Sequence, residues 1–105
     1  MAMTDMPDSD GLADAAHLSA TIHGRVQGVY FRRFVRNAAR ELGLTGYVRN
    51  LAGGNTVEAQ AEGARPQLDE LLKQLKVGPR GARVQEVEAA WSDYSGRFTD
   101  FEIRH

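Results

Sequence analysis

The sequence contains no cysteine. Disulfides, thiolate nucleophiles and cysteine-ligated metal or iron–sulfur centres are therefore excluded. No apolar run approaches the roughly 20 residues that a helix needs to cross a bilayer, so no transmembrane helix is expected. The N-terminus has neither a basic start nor an apolar stretch, which leaves no secretory signal and makes the cytoplasm the expected compartment. Histidine is scarce: His17, His23 and His105 are dispersed. No His/Asp/Glu grouping has metal-site spacing, so no metal is expected. Acid is missing from one long stretch. From Leu18 to Arg40 there is no Asp or Glu, while Arg25, Arg32, Arg33, Arg36 and Arg40 all fall within it.

Charge is unevenly spread. The net charge is −1, but residues 1–17 carry Asp5, Asp8, Asp10 and Asp14 and no Lys or Arg, leaving +3 for residues 18–105. Residues 1–17 hold Asp, Ser, Gly and Pro with few large apolar groups and read as a disordered acidic tail. Residues 18–105 suit one folded domain, mildly basic and matched to an anionic ligand without demanding a nucleic acid.

The patterning within 18–105 is regular. Leu18, Ala20 and Ile22 alternate with Ser19, Thr21 and His23, a half-buried strand ending at Gly24. Phe31, Phe34, Val35, Ala38, Ala39 and Leu42 keep the 3.6-residue period of an amphipathic helix, closed by Gly43. Leu44–Leu51 reads as a strand, Ala52–Asn55 as a turn, and Val57, Ala59 and Ala61 as the apolar side of a hairpin partner. Pro66 opens a second helix whose stripe is Leu68, Leu71, Leu72 and Leu75. Val84, Val87, Ala89 and Trp91 mark another strand, with a slip at Gln85-Glu86 that a bulge would explain. Trp91 reads as packing rather than as a ligand platform. Phe98–Arg104 makes a short last strand. This order predicts an α+β, ferredoxin-like (split βαβ) sandwich: an antiparallel sheet of four to five strands with two helices on one face.

The segment from His23 to Arg32 carries the chemistry. Gly24 and Gly28 bracket a strand-to-helix loop with Arg25 inside it and Arg32 in the first helical turn. Such a turn can aim backbone N–H groups at one point, and the helix dipole adds positive potential there. An arginine supplies a planar fork that fits phosphate oxygens. Two readings fit the glycines, an oxyanion cradle and a tight connection needing their backbone freedom. Arg32 favours the cradle, because a cation at a helix N-terminus opposes the dipole by about 0.3–1 kcal/mol unless a ligand compensates. Arg33, Arg36 and Arg40 read as a solvated basic face. His23 faces outward and reads as a surface residue rather than a general base. Asn50, judged on spacing alone, is a turn-forming asparagine.

The run Gly24-Arg25-Val26-Gln27-Gly28-Val29-Tyr30-Phe31-Arg32 closely resembles the signature of acylphosphatases. Gly46-Tyr47-Val48-Arg49-Asn50 resembles that family's second signature. The Gly54–Glu58 hairpin and the Phe101–Arg104 ending are similar as well, so the resemblance spans residues 18–105. It implies that Arg32 binds the substrate phosphate and that Asn50 orients the attacking water. It implies that the loop residues Arg25, Val26, Gln27, Gly28, Val29 and Tyr30 supply backbone amides. The substrate is then a small acyl phosphate, with no cofactor; no metal is needed if arginine and amides supply the positive field, and a monomer is the default expectation. A carboxylate leaving group needs no general acid, which agrees with the acid-free stretch. The competing expectation, an RNA-recognition module on the same fold, needs aromatics on the sheet. The middle strand offers Glu58, Gln60 and Glu62 instead, so no nucleic-acid partner is expected.

Overall fold

A computed structural model describes residues 14–105. Its elements are β1 (Ala15–Arg25), α1 (Phe31–Glu41), β2 (Thr45–Asn50), β3 (Thr56–Ala64), α2 (Arg65–Val77), β4 (Arg83–Asp93) and β5 (Phe101–Arg104). The five strands form one sheet in the order β4-β1-β3-β2-β5. Leu18, Ala20 and Ile22 of β1 and Val57, Ala59 and Ala61 of β3 are buried under Phe31, Val35 and Ala39 of α1 and Leu68, Leu71 and Leu75 of α2. Both helices bury one apolar stripe on the same face, as the split βαβ order requires.

Two expectations are corrected. The sheet is mixed rather than antiparallel, because β5 runs parallel to β2, with Gly46 opposite Phe101 and Arg49 opposite Arg104. The cause is topological. The chain leaves β4 at one edge and reaches β5 at the other, beside a strand that already points the same way. The tail boundary also moves. Most of the acidic tail lies outside the described residues, but Ala15, Ala16 and His17 belong to β1, paired with Ala64, Gly63 and Glu62. Cross-strand pairing with β3 extends the strand three residues past the point where large apolar residues stop.

The slip in β4 is a bulge. His23 faces Glu86 and Gly24 faces Val84, leaving Gln85 as the extra residue. Trp91 lies opposite Leu18 and stacks under the Arg65 guanidinium at 3.6 Å, a packing residue. Gly46 sits hard against β3: a Cβ there would stand 1.8 Å from the Gln60 carbonyl oxygen.

β1, β2 and β5 all point their C-terminal ends to one edge of the sheet. The loop after β1, the end of β2 at Asn50 and the end of β5 therefore meet there, beside the N-terminus of α1. The 94–100 connection crosses the opposite, helix-free face. Ser95 and Gly96 bond to Glu62 there, and the Phe98 ring lies 6.3 Å from His17 and 6.0 Å from Tyr47.

Candidate active site

At that edge lies a cavity of about 650 Å³ lined by Val26, Gly28, Tyr30, Phe31, Arg32, Arg33, Arg36, Asn50, Ile103 and His105. Its floor is apolar: Val26 and Phe31 are core residues, so the loop is anchored where it enters and where it leaves. Between them the backbone turns sharply. Gly28 has φ 73° and Tyr30 has φ 60° and ψ 26°, both left-handed. Gly28 adopts this conformation without steric cost. Tyr30 is the only non-glycine residue among the described ones with positive φ, and such strain concentrates at ligand sites. Tyr30 is also the N-cap of α1 and makes no side-chain cap, and the first helical turn contains no acid. The leading amides of α1 thus have no internal anion to satisfy them.

Arg32 and Asn50, eighteen positions apart in sequence, face this one cavity. The Arg32 side chain makes a single hydrogen bond among the described residues, from Nη1 to His105 Nδ1 at 3.3 Å. The Asn50 Oδ1 is buried with no protein hydrogen-bond partner. A buried acceptor normally finds a donor, so this atom is free for one that arrives with a ligand. Asn50 lines the cavity from the end of β2, at a position that shares the helix-facing parity of buried Val48.

Arg33 and Arg36 are placed differently from expectation: they line the cavity rather than forming only a solvated face. They lie a turn apart on the side of α1 that borders the edge of the sheet. Arg40, one turn further on, is fastened elsewhere, to the Phe101 carbonyl and to Asp100. Arg25 is the last residue of β1 and pairs with Arg83, outside the cavity lining. Gln27 also lies off the lining. Its Nε2 donates to the carbonyls of Leu51 at 2.9 Å and Thr56 at 2.8 Å. One side chain thus ties the loop to the turn beyond Asn50. Val29 packs against the core from outside.

None of Arg32, Arg33 and Arg36 joins an ion pair among the described residues, and no acid lines the cavity. Three permanent positive charges and a helix N-terminus converge on a concave space with one free acceptor beside it. That arrangement suits a multiply charged oxyanion and a water. His23 lies outside, on the helix-free face, its Nε2 3.2 Å from Glu88 without hydrogen-bond geometry. Among the described residues no group of three His, Asp or Glu side chains could hold a metal ion, and no helix is long and apolar enough to cross a membrane.

His105 and the Gln27 tie were missed by sequence reading. The tie has no local signature. His105 could have been found only from the parallel register of β5 on β2, in which the position after Arg104 falls beside Asn50.

Comparison with known proteins covers most of the chain. The acylphosphatase family model matches residues 18–103. An acylphosphatase of Dehalococcoides mccartyi is 51% identical over 88 residues, covering 84% of this chain and 97% of the relative. One from Pyrobaculum islandicum is 49% identical over 88 residues, covering 84% and 90%. The solved structure of an acylphosphatase from Coxiella burnetii superposes with a TM-score of 0.83 at 36% identity, covering 90% of this chain and 97% of that one.

Proposed function

The chain belongs to the acylphosphatase family, and on that premise we propose that it hydrolyses small acyl phosphates without a metal ion, Arg32 holding the phosphoryl group and Asn50 the water. The observation that carries this reading is the meeting of Arg32 and the unpartnered Asn50 Oδ1 in one acid-free cavity.

The phosphoryl group sits against the amides of the part of the Arg25–Tyr30 loop that borders the cavity, at Val26, Gly28 and Tyr30, and against the N-terminus of α1. Arg32 spreads its fork over the phosphoryl oxygens. Arg33 and Arg36 add positive potential at the mouth. The Asn50 Oδ1 accepts a hydrogen bond from water and fixes its approach to phosphorus. As the water oxygen bonds to phosphorus, the bridging P–O bond breaks and its electron pair leaves with the carboxylate. That leaving group is a weak base, with a solution pKa of about 4–5, so it needs no proton. A neutral amide cannot serve as a base. One water proton therefore passes to a phosphoryl oxygen, and the products are carboxylate and dihydrogen phosphate. Rate enhancement comes from positioning and from preorganised charge, as in phosphoryl transfer generally. We take the enzyme to be a cytoplasmic monomer with no nucleic-acid partner.

Release of phosphate from benzoyl phosphate tests the reading. Wild type is expected to turn over in EDTA, with Arg32→Gln weakening both substrate binding and turnover. Loss of activity on chelation would remove the metal-independent part. A pH–rate profile of kcat/KM governed by an ionisation near the reference His value that persists in His105→Asn would remove the proton transfer to the phosphoryl oxygen.

A further inference from the structure

The contact between Arg32 and His105 carries an inference beyond this scheme, resting on its assignment of Arg32 to the phosphoryl group. A guanidinium has only donors. The ring nitrogen facing Arg32 Nη1 at 3.3 Å is therefore an acceptor, which makes Nδ1 unprotonated and puts the ring proton on Nε2. The same register that places Asn50 at the end of β2 places His105 at the end of β5. Arg49 is opposite Arg104, so the next pair is Asn50 with His105. Both continue the helix-facing parity of Val48 and Ile103, towards the N-terminus of α1.

We propose that His105 is a positioning residue: its neutral Nδ1 holds one nitrogen of the Arg32 fork, leaving the remaining N–H groups aimed at the phosphoryl site. Arginine carries several rotatable bonds, and a fork that wanders loses the bidentate geometry on which it depends. No other described residue holds the Arg32 side chain by a hydrogen bond or ion pair.

The device is sensitive to pH. A protonated ring cannot accept from Arg32. The groups facing it across the cavity are Arg32, Arg33 and Arg36 from α1, Tyr30 from the loop and neutral Asn50 from β2. Its strand neighbour Arg104 turns to the other face, over the Tyr47 ring at 4.1 Å. Protonation places a second positive charge beside the Arg32 guanidinium. On protonation the ring releases the fork, and Arg32 becomes mobile.

The test compares wild type, His105→Phe and His105→Asn on benzoyl phosphate across pH 5–8. The Asn Oδ1 lies where the His Nδ1 does and accepts without titrating. At pH 8, His105→Phe is expected to lower kcat about threefold to tenfold, the equivalent of one net hydrogen bond. KM is expected to stay within about twofold, and His105→Asn to restore most of the loss. On the acid side, wild type is expected to lose kcat in a step that both variants lack. Wild-type kcat in His105→Phe at pH 8, or an acid step that persists in His105→Asn, overturns the proposal. A wild type that turns over and responds to Arg32→Gln but not to His105 changes sinks this inference alone, whereas a wild type without turnover sinks the catalytic reading. The contact has its own readout. Long-range 15N–1H spectra of the imidazole are expected to show the Nε2–H tautomer at pH 8 and to change in Arg32→Gln. A tautomer mixture indifferent to that substitution overturns the contact whatever the activity.

Discussion

Nδ1 of His17 lies 2.7 Å from Oε2 of Glu62, across β1 and β3 on the face of the sheet that carries no helix. The Glu62 side chain is fully buried there. The same carboxylate accepts from the hydroxyl and amide of Ser95 and the amide of Gly96, so it clasps the 94–100 connection to the sheet. Gln60 completes the cluster. Its Nε2 donates to Ser19 and Glu58, which turns its Oε1 towards His17 Nε2.

This clasp makes stability depend on pH. Burial alone pushes the Glu62 carboxyl up. Hydrogen bonds from His17, Ser95 and Gly96 outweigh it and bring the group from an ordinary 4.5 down to about 2. A carboxyl that is more acidic folded than unfolded stabilises the fold above its unfolded value, and that contribution is lost as pH falls from about 4.5 towards 2. Its size is on the order of 3 kcal/mol. Urea denaturation is expected to show wild type losing stability over that interval. Glu62→Gln should be less stable at pH 7 and nearly flat below pH 4.5. Parallel pH profiles for the two proteins would show that Glu62 is not the group responsible.

A second stability prediction concerns Gly46, whose missing Cβ lets β2 approach β3. With φ 140° and the Gln60 carbonyl 1.8 Å from the Cβ position, neither the conformation nor the space admits alanine. The crowding atoms, of Gln60 and Ala61, are backbone of β3 in the middle of the sheet and cannot yield. Gly46→Ala is expected to cost more than about 4 kcal/mol, in the range reserved for overpacking and strain. Gly28→Ala is the contrast, with φ 73° but nothing within 4 Å of the Cβ position. It is expected to cost only about 1–2 kcal/mol of backbone strain. Equal losses in the two variants would contradict the close approach at Gly46.

The periodic elements were legible because alternation and the 3.6-residue repeat record which face each segment buries. Leu18–Ile22, Phe31–Leu42 and Leu68–Leu75 report a core directly. The Gln85 bulge was legible for the same reason, since an extra residue breaks the alternation. Strand partnership leaves no such local trace. Nothing within Phe101–Arg104 says that it joins β2 in parallel, so neither the mixed sheet nor the place of His105 could be read. His17 continues the parity of Ser19 and Thr21, but its partner lies 45 positions away and its small neighbours resemble a tail. Arg33 and Arg36 were read as solvated because a polar helical face looks the same whether it borders solvent or a cavity. Asn50 acquired a role only through family resemblance. Its spacing alone fits a turn equally well.

Gln27 should couple loop stability to turnover. Its two bonds, to the Leu51 and Thr56 carbonyls, fix the loop against the segment that carries Asn50. Gln27→Ala removes both donors and is expected to cost about 1–3 kcal/mol of stability. Gln27→Glu is nearly isosteric but turns an acceptor towards two carbonyl oxygens, and should cost more than alanine. Both should lower kcat more than they raise KM, because they loosen the angle between water and phosphoryl group. If Gln27→Glu were as stable as wild type in urea, the paired donation would be wrong.

Asn50 and Arg32 should separate by kinetic signature. The Oδ1 of Asn50 has no protein partner to orphan, so its removal leaves the fold nearly unchanged and the melting temperature within a few degrees. Asn50→Ala is expected to lower kcat by about a hundredfold to a thousandfold, the usual cost of one preorganised polar contact to the reacting atoms. KM should change little, because the water rather than the substrate is misplaced. Arg32→Lys keeps the charge but replaces a fork with a point, and is expected to lose both kcat and substrate affinity. The double variant is the sharper measurement. If water and phosphoryl group must be aligned with each other, losing one alignment makes the other worth less. The double variant should then lose less than the product of the two single losses. Strict multiplicativity would mean that the two residues act on separate steps.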